Sequence, residues 1–252
     1  MFGAVFTILA GTGCDGTEPI GTVAFELDSQ LVDTGFWDLP FPSDLRMNPD
    51  GTQDFAGFPN PNGLGLVSDL LEPARIRRGA PAMPIAWFKP TVAVPARNPN
   101  DVIAPGPDAP VLLVNIDPDS DHRGQMFPTV ASVIASDDYV GESLIAVAPR
   151  PGIVLDANTT YAFVLMREFA DELGPHPAIR TLADGGTLAG ARGEAAKQTF
   201  APLWPTLRDL DAFRHHRHAA AVVARKCARR VAPRPRPRGR VKYDAQPRGR
   251  GC

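Results

Sequence analysis

Few groups of residues in this chain have both the types and the spacing to do chemistry. Asp117, Asp119 and Asp121 alternate in Asp117-Pro118-Asp119-Ser120-Asp121-His122-Arg123-Gly124, the way a calcium loop begins. An EF-hand loop starting at Asp117 needs Gly at 122 and Glu at 128, where this chain has His122 and Pro128. The expectation is a solvated turn, with weak calcium binding at Asp117, Asp119 and Asp121 as the alternative. His215, His216 and His218 with Cys227 are the right donors for a transition metal. Arg214, Arg217, Arg225 and Lys226 surround them and repel a cation, so no metal is expected there. For acyl transfer, Gly141-Glu142-Ser143-Leu144-Ile145 lacks the second Gly of the strained G-x-S-x-G elbow. His122 and His176 are the body's imidazole bases, and neither has a nucleophile beside it in sequence.

Gly11-Thr12-Gly13-Cys14-Asp15-Gly16 satisfies G-x-G-x-x-G, but a dinucleotide site needs a helix to begin there so that its amides meet the pyrophosphate. Pro19 and Gly21 stand in that helix's first turns, and Gly21 to Phe25 reads as extended chain. Neither H-E-x-x-H nor G-x-x-x-x-G-K-[ST] occurs. The chain is therefore expected to have no catalytic residue, no cofactor and no metal, which leaves Cys14 as its one candidate for covalent modification.

The elements that must carry these residues follow from composition. Among 252 residues are 23 Gly and 27 Pro, and each Pro inside a helix costs roughly 3 kcal/mol, so short strands joined by turns fit better than a helical bundle. No apolar run is long enough to span a bilayer. Phe2 to Ala10 is a nine-residue uncharged run, followed by Gly11, Thr12, Gly13 and Cys14 and then a polar tether, Asp15 to Pro19. This resembles a bacterial lipoprotein signal, although Gly11 stands at −3 where Leu is usual and no basic residue precedes the run. The resemblance implies cleavage before Cys14, lipidation of Cys14 and a membrane anchor through it. Asp15 is similar to an inner-membrane retention signal. A cleaved secretory signal and an N-terminal strand are the other readings of this run.

The charge is divided in two. Residues 214 to 252 hold 13 of the 26 basic residues and one acid, Asp244, whereas residues 1 to 213 carry a formal charge of −14. An acidic body lacks the positive surface that phosphate binding needs, so nucleic acid is not an expected partner of the folded part.

In that body, Val23, Phe25 and Leu27 alternate with Ala24, Glu26 and Asp28, a pattern that predicts a half-buried strand. In Phe36-Trp37-Asp38-Leu39-Pro40-Phe41-Pro42-Ser43-Asp44-Leu45 two prolines keep the chain extended while large side chains anchor it. Core filling is the expected role of these aromatics, and a ligand cleft the alternative. Leu64, Leu66, Val67, Leu70 and Leu71 suggest one short amphipathic helix near Ser68. Further strands are predicted at Ile85 to Phe88, Val92 to Val94, Val111 to Ile116, Phe127 to Ile134, Ser143 to Ala148 and Tyr161 to Met166. After Gly193 an apolar stripe from Ala195 to Leu210 predicts a helix that breaks near Ala201.

Six short strands with turns every 8 to 20 residues point to a mainly β fold, a β-sandwich with one or two short helices. The stretch Leu155 to Leu165 (LDANTTYAFVL), followed by Asp171-Glu172-Leu173-Gly174, resembles the end of a bacterial immunoglobulin-like domain. With Phe36 to Leu45 and Ala148 to Leu155, residues 20 to 210 are similar to the N-terminal region of secreted bacterial lipoproteins and lipases, in which an α/β-hydrolase domain follows. The organisation expected is a signal over 1–14, a tether and docking segment over 15–84, an immunoglobulin-like sandwich with its C-terminal helix over 85–212, and a tail over 213–252.

That tail, with Arg234-Pro235-Arg236-Pro237-Arg238-Gly239-Arg240, cannot bury a core and is expected to be disordered. It reads either as a polybasic arm or as out-of-frame translation of a GC-rich gene. The functional expectation is an exported, envelope-anchored or secreted lipoprotein fragment whose sandwich is a non-catalytic structural or interaction module. The alternative is the leader of a secreted lipase-like hydrolase, with the hydrolase domain as its downstream partner.

Overall fold

The computed structural model describes residues 19–211 and 219–226. Among the described residues seven strands form two antiparallel sheets. The first, in the order β1-β5-β4-β2, contains β1 (Ala86–Phe88), β5 (Leu144–Pro149), β4 (Thr129–Ile134) and β2 (Val102–Ile103). The second, in the order β3-β6-β7, contains β3 (Val111–Asn115), β6 (Thr160–Met166) and β7 (Ala219–Lys226).

The two sheets meet through alternate side chains. Val111 and Leu113 of β3, with Tyr161, Phe163 and Leu165 of β6, pack on Ala86, Phe88, Ala131, Ile145 and Val147 of the first sheet. The intervening residues Leu112, Val114, Ala162, Val164 and Met166 face the other way, onto a helical layer and the N-terminal segment. That layer is α2 (Pro177–Ala183), α3 (Gly193–Phe200) and α4 (Leu203–Asp209), which bury Ile179, Leu182, Phe200, Leu203 and Leu207 against the sheet. β3 and β6 are thus covered on both faces, which is why Val111-Leu112-Leu113-Val114 and Tyr161 to Met166 are unbroken apolar runs.

The expected β-rich fold of two antiparallel sheets is present, with four α-helices among the described residues where one or two were expected. The helix near Ser68 is α1 (Gly65–Arg75), and the stripe after Gly193 divides at Ala201–Pro202 into α3 and α4. α2 and the two-residue β2 lacked a periodic signal. Val92 to Val94 is not a strand. Its neighbourhood is extended chain on which Thr91 donates its amide to the Thr22 carbonyl, at 2.8 Å.

Val23, Ala24, Phe25 and Leu27 are buried and Glu26 is exposed, the half-buried pattern expected, but the segment makes an isolated bridge at Val23 and no ladder. The Ala24 amide reaches Lys89 and the Glu26 amide reaches Asp38, so the segment switches partners before a strand can form. Residues 219–226, expected to fall in the disordered tail, form β7 and complete the edge of β6 from Thr160 to Met166. Residues 1–18, 212–218 and 227–252 lie outside the described residues, and with them Cys14, His215, His216, His218, Cys227 and the Arg-Pro repeats.

Candidate functional site: an aromatic groove and an open sheet face

Residues 33 to 58 build the floor of a groove against β1. A short 3-10 turn, Asp33–Asp38, brings Phe36 and Trp37 inward, and Pro40 and Pro42 keep the following chain extended so that Phe41 pairs with Trp87 through both backbone amides. The rings interlock: Phe36 with Trp37 at 5.0 Å, Phe36 with Phe41 at 5.2 Å, and Phe41 with Phe55 at 5.3 Å between centroids. These separations suit edge-on and tilted packing of ring quadrupoles.

Arg46 is buried in this cluster. Its guanidinium lies 3.8 Å above the Phe36 ring and 5.1 Å from the Phe41 ring, and Nη1 donates to the Phe36 carbonyl at 2.6 Å. Desolvation lowers its pKa to about 10, with Asp54 opposing and Arg192 adding to the drop, so it remains a cation at neutral pH. Nε has no partner. The rings supply much of what water supplied in the unfolded chain.

The chain then turns at Asn48-Pro49-Asp50-Gly51, with Gly51 at φ +84°. The Asp50 carboxylate accepts from the Thr52 amide (2.9 Å) and hydroxyl (2.7 Å), which holds its carboxyl below the ordinary carboxylate range. Gly79 donates its amide to the Gly51 carbonyl and Arg78 bridges Thr52, so this turn ties down the segment that leaves α1.

Between these pieces lies a groove of about 270 Å³. Phe41, Phe55 and Trp87 line its floor, Ala74 and Arg77 one side, and Met83 and Ile85 the rim. Gln53 also lines it. This side chain is buried, its Nε2 meets Met47 Sδ at 2.7 Å, and its Oε1 has no hydrogen-bond partner among the described residues. Arg77 is exposed, and its side chain forms neither an ion pair nor a hydrogen bond among the described residues.

Ile85 and Trp87 also border a second, shallower concavity of about 210 Å³ on the outer face of the four-stranded sheet. Trp87, Ala146 and Ser132 stand opposite one another in one row across that face, and Ala148, Val130 and Val102 in the next. None of these outward positions is charged. Phe36, Trp37 and Val140 cover one end of the face and bury Leu144, while Ile134, opposite Leu144 on β4, and Val102, on the edge strand β2, remain exposed. α1 stands beside the groove with no buried residue, and Leu66 and Leu70 are 69% and 65% exposed.

A third hollow, beside Arg97, is more polar. Arg97 stacks 4.2 Å over the Phe169 ring and donates to the Phe169 carbonyl, and Asp101 and Asn98 share its walls.

The residues singled out from sequence are placed elsewhere. Asp117 spends its carboxylate on the backbone, accepting from Thr160 N at 2.9 Å and Asp119 N at 3.0 Å. Among the described residues, no group of three His, Cys, Asp or Glu side chains is gathered as a metal site. His176 caps α2, where Nδ1 accepts from the Ala178 amide at 3.2 Å, and burial lowers its pKa while Glu26 opposes the shift. His122 is exposed in the turn after Asp121, and Ser143 precedes β5.

Phe36, Trp37 and Leu39 are core, as expected, whereas Phe41 serves core and groove together. A groove lies where a ligand cleft was the alternative reading of these aromatics, but its walls at Gln53, Arg77, Met83 and Ile85 were not foreseen. Its signals were a lone Arg46 within an aromatic run, and apolar residues at both alternations of β4 and β5. No family model, no curated protein and no solved structure matches this chain.

Proposed function

We propose that this chain is a non-catalytic interaction module of an exported bacterial lipoprotein, held in the cell envelope through Cys14, with an immunoglobulin-like sandwich as its scaffold. The observation that carries this reading is the outer face of the four-stranded sheet. An antiparallel sheet facing water ordinarily turns polar side chains outward; this one turns out Trp87, Val102, Val130, Ile134, Ala146 and Ala148, with Ser132 the one polar group. An uncharged apolar face of this extent marks a contact with another protein.

The partner is a folded domain that continues the cover which residues 36 to 58 already lay over one end of the same face. Support for the immunoglobulin likeness comes from Tyr161, at the start of β6. Its hydroxyl accepts from the Asp156 amide at 3.1 Å, the reach back to upstream backbone that characterises the tyrosine corner of such domains. The likeness of residues 36 to 45, 148 to 155 and 155 to 165 to the N-terminal region of secreted bacterial lipoproteins and lipases supports the alternative, in which the covering domain is an α/β-hydrolase.

A photo-crosslinking residue at position 146, in the chain expressed at native level in its own cells, tests the module. One adduct of discrete mass is expected, lost when Ser132→Lys adds a charge to the face; no adduct, or one indifferent to Ser132→Lys, overturns the reading. A partner with a G-x-S-x-G serine would select the hydrolase alternative. Radiolabelled palmitate incorporated by the chain but not by Cys14→Ala checks the anchor.

A further inference from the structure

The groove has three features that together specify a ligand. Its floor and rim are apolar and aromatic, from Phe41, Phe55, Trp87, Met83 and Ile85. Its edge carries Arg77, an exposed cation whose side chain has no ion pair or hydrogen bond among the described residues. Its lining includes Gln53, 4% exposed, whose Oε1 is a buried acceptor without a donor. Small-molecule sites combine an apolar lining with a few polar groups that fix orientation, and buried acceptors without partners are rare enough to call for an explanation.

We infer that the groove binds a free, medium-chain carboxylate that bears a hydroxyl near its head, as a hydroxy fatty acid does. The chain lies on Phe41, Phe55 and Trp87, the carboxylate meets Arg77, and the hydroxyl draws the Gln53 amide round so that it can donate to Oε1. Arg77 supplies the charge complementarity, since its planar guanidinium accepts a carboxylate through two parallel N–H groups. Arg75 and Arg78, also exposed, flank it and add to the local positive charge on an otherwise acidic body. A volume of about 270 Å³ is at the small end of ligand pockets and suits a medium rather than a long chain. The inference is distinct from the docking reading, although Ile85 and Trp87 border both the groove and the sheet face, and from lipidation of Cys14.

Calorimetric titration of the purified chain with 3-hydroxydecanoate below its micellar concentration tests it, with decanoate and decyltrimethylammonium as comparators. Saturable one-to-one binding is expected, several-fold weaker for decanoate and absent for the cation. Arg77→Glu, at an exposed position that leaves the core intact, should weaken binding at least tenfold. Gln53→Leu should abolish the preference for the hydroxylated acid, and Met83→Trp, which fills the groove from its exposed rim, should abolish binding. A thermal midpoint measured for each variant verifies that it is folded. No saturable binding, equal binding of the cation, or indifference to Arg77→Glu would overturn the proposal, and a tight docking partner found at position 146 would not rescue it.

Discussion

Replacing Arg46 separates the worth of a buried cation from the worth of the space it fills. In the folded chain its pKa is lowered to about 10, chiefly by desolvation with Asp54 opposing, and at about 1.36 kcal/mol per unit the net penalty on the charge is on the order of 3 kcal/mol. Against that stand a cation–π contact with Phe36 at 3.8 Å, about 2 kcal/mol when desolvated, and the charged hydrogen bond to the Phe36 carbonyl, about 1.5–3 kcal/mol. The charge is therefore close to neutral overall, and a residue of similar length without charge should be tolerated. Arg46→Met keeps the volume, removes the desolvation cost and leaves the Phe36 carbonyl unpaired, so a loss of about 1–2 kcal/mol is expected. Arg46→Ala adds a cavity among Phe36, Phe41 and their neighbours and should cost about 3–5 kcal/mol. Arg46→Lys keeps the charge but loses the planar stack, and should fall between the two. Urea unfolding followed by tryptophan fluorescence gives the midpoints. If Lys proves milder than Met, the charge itself is what the cluster requires, and the reasoning fails.

His176 gives a pH signature. Its folded pKa lies below the unfolded 6.5, so the unfolded chain takes up the proton first and stability is lost as pH falls from about 7; the loss should vanish in His176→Asn, which can still cap α2, as midpoints measured from pH 8 to 5 would show. Gln53→Leu removes a buried acceptor without a partner and should raise stability by about 0.5–1.5 kcal/mol in the same urea assay; a loss of that size would mean that the amide is satisfied. Tyr161→Phe strands the Asp156 amide and should cost about 1–2 kcal/mol, with hydrogen exchange accelerated at Asp156; unchanged exchange there would discount the hydrogen bond at 3.1 Å.

Legibility in the sequence followed the range of the interaction concerned. β1, β3, β4, β5 and β6 were readable because their apolar residues and flanking Pro and Gly turns are local signals, and the α3–α4 break was marked by Pro202. Val111 to Val114 and Tyr161 to Met166 are apolar at every position, so period alone could not show that a helical layer covers their second face. α2 was hidden because its cap is a histidine, His176, rather than Ser, Thr, Asp or Asn, and β7 because its surroundings are basic and proline-rich. α1 was legible as amphipathic, yet Leu66 and Leu70 remain in solvent, since amphipathicity indicates a face to be covered without naming what covers it. The groove depends on residues as distant as Gln53 and Trp87 meeting in space, for which no local pattern exists.

The pairing of β7 with β6 bears on how the chain must be made. Fifty-two residues separate Met166 from Ala219, so α2, α3 and α4 are all synthesised before the strand that seals β6 arrives. Until then Thr160 to Met166, a run of apolar and aromatic residues, offers a row of unpaired amides and carbonyls to any neighbouring chain. Strand pairs this far apart form slowly, and a segment of this composition is the kind that stacks into intermolecular sheets. A nascent chain halted near Asp211 would thus be a substrate for chaperones or a seed for self-association, while emergence of β7 from the ribosome would be the step that closes this edge of β6.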